Sequence, residues 1–420
     1  MLSHSIATIN KQIQDLLSRD GGFPISTWTL VGISVVSYLS LVRILRFRSL
    51  RKLNKTYAAY LHDPYTLDYK TAHYIMKRVM LYEAPWMFGF ATQWALLKTY
   101  GVAPGTGLLV QTRQLTSEST VGRRAEDTGI ILVEFLVGSM DSDRGSKALA
   151  KMNWLHRRYG SNIKQPELLH TLAMFVLEPM RWFEAHEWRP MTEIEKVAMF
   201  TYWREIGNRM GISNIPETLE DLETWTAEYT KKNVYFTENN KKCAEATMQL
   251  FLRDIPSFMQ GFAKHAAVSL FDKQTRIALG YGKPPAWISV FVGAVFQIRK
   301  IMIRYLFLPR FHALDPLAKS DSSGRLFREE WAFEPWYVKS TVKSWLIALF
   351  YSSNRALPGP KYKSNVGFLV EELGPAEYEK SSKGPVTKEA EEMQAYVSKG
   401  GAMVLGCPFR PTASPFKYGK

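Results

Sequence analysis

The sequence predicts an all-α protein, a single large helical bundle domain preceded by one N-terminal transmembrane helix. Apolar residues recur at helical spacing through most of the chain, while the apolar–polar alternation of a half-buried strand is scarce. The uncharged stretch Gly21–Val42 supplies the membrane helix. With 420 residues the chain can bury a large core. The expected division is 1–22 as a luminal segment, 23–43 as the transmembrane helix, 44–357 as the helical domain, and 358–420 as an irregular extension packed on that domain.

The first element follows from charge. Twenty-two residues without a charged side chain, coiled as a helix, reach roughly 33 Å, enough to cross a bilayer core. A cleaved signal peptide fits poorly, because the stretch starts late and lacks both a basic leader and a small-residue cleavage site. Arg43, Arg46, Arg48, Arg51, Lys52 and Lys55 follow the span, against Lys11 and Arg19 before it. The positive-inside rule then sends the N-terminus to the lumen and the domain to the cytosol. Two cysteines, Cys243 and Cys407, exclude a disulfide framework and suit a reducing compartment. The net charge of +15 is scattered and accompanies no nucleic-acid motif, so no nucleic-acid partner is expected. Anionic membrane lipid accounts for the same excess.

Residues 56–115 read as helices broken at Pro64, Pro85 and a turn, GVAPGTG, at 101–107. Two helices joined by a Gly/Ser/Asp-rich turn follow between Arg124 and His156. Beyond them the sequence predicts a helix over 166–178 and another from Thr192 to Met210. Thr192 and Glu195 have the spacing of a capping box. A further helix begins near Pro216, and the polar stretch to Asn240 reads as a solvated face. Apolar periodicity resumes over 244–272. The stretch 286–308 has an uncharged run of about 14 residues, too short for a second span. It reads as a core helix or one lying in the membrane interface. After Pro358, Gly, Pro, Lys and Glu dominate, and irregular coil is expected.

The chemistry concentrates between Arg124 and His156. Arg124, Asp127 and Thr128 fall at i, i+3 and i+4, so they are expected on one helix face, continued by Ile131, Leu132 and Phe135. On the next helix Ala148, Leu149, Met152, Leu155 and His156 share a face. An Arg/Asp/Thr cluster and a lone imidazole turned toward one apolar interior suit a flat, anionic, iron-bearing cofactor, haem. Arg124 is the first candidate for its propionates, with Arg123 and Arg181 behind it. Spacing alone favours His156 as a core histidine bonded to a carbonyl, and Asp127 is equally a partner of Arg123 or Arg124. His170 and, more remotely, His186 are the alternative ligands. Glu178 with Arg181, and Glu187 with Arg189, read as buried ion pairs bracing the helices.

The R-x-x-D-T of 124–128, followed by Leu155-His156, resembles the core of latex-clearing proteins, the rubber oxygenases. It is closer to the fungal endoplasmic-reticulum-bound oxygenases of the mycophenolic-acid-pathway type. LLKTYG at 96–101, LEPMRWFEAHEWRPMT at 177–192, EIGNRMGISNIP at 205–216, EPWYVK at 334–339, LPGP at 357–360 and EELGP at 371–375 resemble further landmarks in order and spacing. The resemblance implies an all-helical haem b enzyme, its iron held by His156, with Arg124 and Thr128 in the core motif. It implies oxidative cleavage of a carbon–carbon double bond by dioxygen in a lipophilic prenylated or terpenoid substrate, in secondary-metabolite biosynthesis at the endoplasmic reticulum membrane. Asp127 departs from the latex-clearing pattern, which has a lysine there, and implies a different handling of dioxygen or substrate. Arg124, Asp127 and Thr128 are thus the catalytic candidates. The rival readings are a membrane-anchored isoprenoid or lipid carrier without catalysis, and a haem monooxygenase or peroxidase. A cytochrome P450 is excluded, because VLGCPFRP around Cys407 lacks the Phe and Gly of the thiolate loop.

Overall fold

The computed structural model describes residues 26–342, 344–346 and 356–398. The expected luminal segment 1–22, the first residues of the expected span and Cys407 lie outside them. Helix α1, Thr27–Thr56, starts where Ser26 Oγ accepts from the Thr29 amide at 3.2 Å. It runs well past residue 43. No Gly or Pro interrupts the Arg- and Lys-rich stretch after Val42, and those residues are good helix formers, so the apolar row and its basic flank are one rod of about 45 Å.

Helices α2 (Tyr69–Arg78), α3 (Pro85–Thr99) and α4 (Ala103–Gln111) follow. The turn expected over 101–107 is shorter than that. Pro104 sits in the first turn of α4, where its missing N–H costs nothing, so the helix begins inside GVAPGTG. Next come α5 (Glu118–Leu136), α6 (Asp143–Arg157), α7 (Gln165–His186) and α8 (Glu193–Arg209). The Thr192/Glu195 capping box stands at the start of α8. Helix α7 continues through Pro179 instead of ending at 178. The chain on either side, from Phe175 to Phe183, is mostly buried, and that packing outweighs the one lost backbone bond.

Four further helices, α9 (Leu219–Asn233), α10 (Glu238–Leu252), α11 (Ser257–Val268) and the short α12 (Lys273–Ala278), precede α13 (Ala286–Tyr305). Helix α13 is not a core helix. Only Ile288 and Phe296 are buried, while Trp287, Val290, Phe291, Ile298 and Ile301 face outward. Strand content among the described residues is one antiparallel pair of two-residue strands, β1 (Lys319–Ser320) and β2 (Leu326–Phe327).

The C-terminal extension corrects the expectation of irregular coil. Short 3₁₀ turns lead into α14, Lys383–Ser398, which packs along α6. Val386, Ala390 and Met393 recur at helical spacing and are all buried. The core is one large cluster, in which α3 lies on α7, α2 on α8, and α5 on α6, with a small second cluster of Val102, Val234 and Ala278. Cys243 is buried in the large cluster as a free thiol.

Candidate active site

Adjacent residues on α5 form two i,i+4 pairs with different partners. Arg124 donates to the Thr128 hydroxyl, which donates in turn to the Arg124 carbonyl at 2.7 Å. Both residues line a cavity of about 590 Å³, within the usual range for cofactor and ligand pockets. Its walls are chiefly apolar, with Leu96, Leu132, Phe135, Leu155, Leu168 and Phe175 among them.

Arg124, Asp127 and Thr128 all border the cavity as expected, but Asp127 pairs with Arg123, not with Arg124. Asp127 is 1% exposed and borders the cavity, but both its carboxylate oxygens are engaged by the C-terminal part of the chain. Tyr337 donates its hydroxyl to Oδ1 at 2.9 Å, and the Gly374 amide donates to Oδ2 at 2.8 Å. Arg123 Nε lies 3.4 Å from Oδ2. Burial pushes the Asp127 carboxyl pKa up, against the opposing pull of Arg123 and these two donors. Arg123 is likewise not a cavity cation. It pairs with Glu379 and stacks 5.0 Å above Trp336, and it is absent from the cavity wall. A buried carboxylate needs a partner charge and donors, and this one finds them in the extension.

Glu126, which no sequence signal singled out, makes a third such attachment. Its Oε1 accepts from the amides of Ala332, Phe333 and Glu334 at 3.0, 2.6 and 3.1 Å, while Oε2 pairs with Arg328. Gly122, one turn earlier, leaves room for the Glu334 carboxylate, which a Cβ there would strike. EPWYVK and EELGP are therefore the two stretches that close over α5.

Helix α6 delivers His156 in its last turn. The helix starts tightly, since any side chain at Gly145 would collide with the Ser139 carbonyl. Helix α14 then fastens its outer side: Arg157 pairs with Glu389, Asn153 Nδ2 donates to Glu389 at 3.1 Å, and buried Lys151 donates to Ser382 Oγ at 2.6 Å. His156 is half-buried and lines the cavity. Its imidazole makes no hydrogen bond among the described residues. Burial, with Arg124 and Arg157 nearby, lowers its pKa to about 4 and keeps it neutral.

The alternative ligands point elsewhere. His170 is buried against α9, its Nε2 3.2 Å from Thr230 Oγ1 and its ring beside Tyr229. His186 packs on Phe296 of α13. Neither lines the cavity. Arg181 has a side chain 52% exposed and pairs with Glu178 outside the cavity, where Lys98 is the inner partner of that carboxylate at 2.8 Å. The Glu187–Arg189 pairing is corrected as well. Glu187 pairs with Arg299 at 3.0 Å, and Arg189 makes a two-pronged bond to Glu195 at 2.7 Å on each arm.

These residues fit haem. A neutral imidazole with no other bond is available as a ligand. Arg124 has no carboxylate partner among the described residues and faces a chiefly apolar cavity, as a propionate partner requires. No group of three or more His, Cys, Asp or Glu side chains that could hold a bare ion occurs among the described residues. Sequence reasoning missed Tyr337, Gly374 and Glu126 as supports, although the first two lie within stretches it had marked.

The sequence profile described as ER-bound oxygenase mpaB/B'/rubber oxygenase, catalytic domain, matches residues 79–299. ER-bound oxygenase mpaB' of Penicillium brevicompactum is 28% identical over 419 residues, covering 93% of this chain and 96% of that protein. ER-bound oxygenase mpaB of Penicillium roqueforti (strain FM164) is 29% identical over 262 residues, 59% of this chain and 88% of that one. ER-bound oxygenase mpaB of Penicillium brevicompactum is 27% identical over 343 residues, 77% and 80% of the two chains. The matched span holds Arg124, Thr128 and His156, while Tyr337 and Gly374 lie beyond it.

Proposed function

The chain belongs to the family of ER-bound oxygenases and rubber oxygenases, and on that premise we propose that it is a haem b oxygenase that cleaves a carbon–carbon double bond in a prenyl or terpenoid chain. One observation carries the reading. The neutral imidazole of His156 and the guanidinium of Arg124, which have no hydrogen-bonded or acidic partner respectively among the described residues, face the same apolar cavity.

His156 is the iron ligand in this proposal, and Arg124 the partner of a propionate, held in its rotamer by Thr128. Bound there, haem supplies the redox-active iron that activates dioxygen. The apolar side chains exclude water and align a hydrocarbon chain, lowering the entropy cost of bringing the alkene to the reacting centre. Overall, one alkene and one O2 give two carbonyl groups, with both oxygen atoms retained in the products. Asp127 acts as a structural clamp, away from the chemistry. Helix α1 anchors the protein in the endoplasmic reticulum membrane in this reading, with the basic residues after Val42 and the domain on the cytosolic side.

A visible spectrum of the purified protein tests the cofactor. A Soret band is expected, lost in His156→Ala and kept in His170→Ala. A colourless protein even after haem supplementation overturns the proposal in favour of a carrier. With 18O2, both labelled atoms are expected in the products of one cleavage, and incorporation of a single atom would mark a monooxygenase.

A further inference from the structure

Helix α13 is amphipathic with its apolar side outward. Phe296 packs inward on Trp86, Phe90 and Trp182, and Arg299 turns in to Glu187. The opposite side presents Trp287, Val290, Phe291, Ile298 and Ile301, with Val290 72% exposed. Phe258 of α11, 85% exposed, and Phe307 and Phe311 after the helix enlarge the surface. Scattered apolar residues on a surface are ordinary, but a contiguous helix face of this kind marks a binding surface.

Two bonds fix what covers it. The Tyr38 hydroxyl of α1 donates to the Leu306 carbonyl at 2.8 Å, and Arg46 Nη2 donates to the Phe307 carbonyl at 2.5 Å. Tyr38 stands near the end of the apolar row of α1, and Arg46 stands in the basic run that succeeds it. The C-terminal end of α13 is thereby tied to the level at which α1 passes from hydrocarbon to headgroups. Lys300 and Arg310 lie in and just after this half of the helix, as an anionic headgroup layer favours.

We infer that the outward face of α13, with residues 306–311, lies in the same membrane leaflet as the end of α1, as a second contact with lipid. Part of the exposed wall of the cavity lies beside α13. Gly89 and Gln93 of α3 both line the cavity and are exposed, and so does Leu314, whose amide donates to the Leu81 carbonyl at 3.0 Å. Trp86 and Phe90, which flank Gly89, pack on Phe296 of α13. If the proposed function holds, a chain dissolved in the leaflet reaches the cavity without crossing water; the lipid contact itself does not depend on that function.

The test uses the full-length chain, with Cys407→Ser as background, in vesicles of phosphatidylcholine and phosphatidylserine. Val290→Cys, Ile298→Cys and, as a solvated control on α9, Glu223→Cys are each labelled with an environment-sensitive fluorophore. Blue-shifted emission, quenched by nitroxide-bearing acyl chains, is expected at 290 and 298, and water-like, unquenched emission at 223. Water-like emission at 290 and 298 in the vesicle-bound chain overturns the inference. Blue-shifted emission that lipid nitroxides leave unquenched also overturns it, because protein would then cover the face. The labels report lipid contact with or without haem, so their failure leaves the Soret test untouched, and the reverse holds.

Discussion

Asp127 and Thr128 are neighbours in sequence, and their side chains do different work. The Asp127 carboxylate is buried, and its donors are Tyr337, 210 residues away, and Gly374, 247 residues away. Removing it leaves the Tyr337 hydroxyl and the Gly374 amide without their acceptor and Arg123 with Glu379 alone, and each stranded buried donor costs about 1–3 kcal/mol. Asp127→Ala is therefore expected to lower the urea midpoint sharply, and Asp127→Asn, which still accepts from Tyr337, to lower it less. A catalytic Asp127 would instead give an Ala variant of unchanged stability and lost turnover. Arg124→Leu should leave stability nearly unchanged and weaken haem retention, because a charge-assisted bond contributes about 1.5–3 kcal/mol. Transfer of haem to apomyoglobin should accelerate on the order of tenfold to a hundredfold. That Arg124, Thr128 and His156 face one cavity was legible because helical spacing and a local motif mark them. The duty of Asp127 was not, since its partners are set by long-range folding that no local pattern encodes.

At the scale of elements, the end of α5 is held by side chains from two other helices. The His73 Nε2–H donates to the Leu136 carbonyl at 2.8 Å, and the Tyr202 hydroxyl donates to the Phe135 carbonyl at 2.5 Å. They satisfy carbonyls that a helix C-terminus leaves without partners. The His73 and Tyr202 rings stack 4.5 Å apart. Burial lowers the His73 pKa from 6.5 to about 4, and burial does the same for His170. In both cases the fold favours the neutral imidazole, while the unfolded chain takes up the proton first. Their stabilisation is thus complete above about pH 6.5 and lost as pH falls toward 4. Urea midpoints should decline through that window, and His73→Gln should flatten the decline. Most helices were legible from period and caps, the Thr192 box above all. Helix α14 was not, because the Gly, Pro, Lys and Glu around it masked the spacing of Val386, Ala390 and Met393. Met393 is 1% exposed, so Met393→Ala should cost about 2–5 kcal/mol, read from the same urea curves.

At the scale of the whole molecule, an anchor helix and a bundle are joined at one edge, and that edge is apolar on its outer side. The buried residues of α1 are Val42, Arg46 and Leu53, all beyond residue 40. Deleting residues 1–40 therefore removes the apolar row and spares the part that packs on the bundle. Were α1 the sole attachment, the shortened chain would leave membranes entirely. The exposed side chains of α13 argue otherwise. Each apolar group that enters the acyl boundary contributes about 1 kcal/mol or more, and several act together. That is far less than a spanning helix supplies, but sufficient for reversible binding strengthened by anionic lipid. The shortened chain is expected to float partly with phosphatidylserine-containing vesicles and to be released by salt. Adding Val290→Asp and Ile298→Asp should abolish that flotation. The same two substitutions in the full-length chain should leave it membrane-bound, because α1 then suffices alone. The four preparations form a cycle in which either attachment holds by itself. A shortened chain that never floats breaks the cycle and leaves α1 as the anchor.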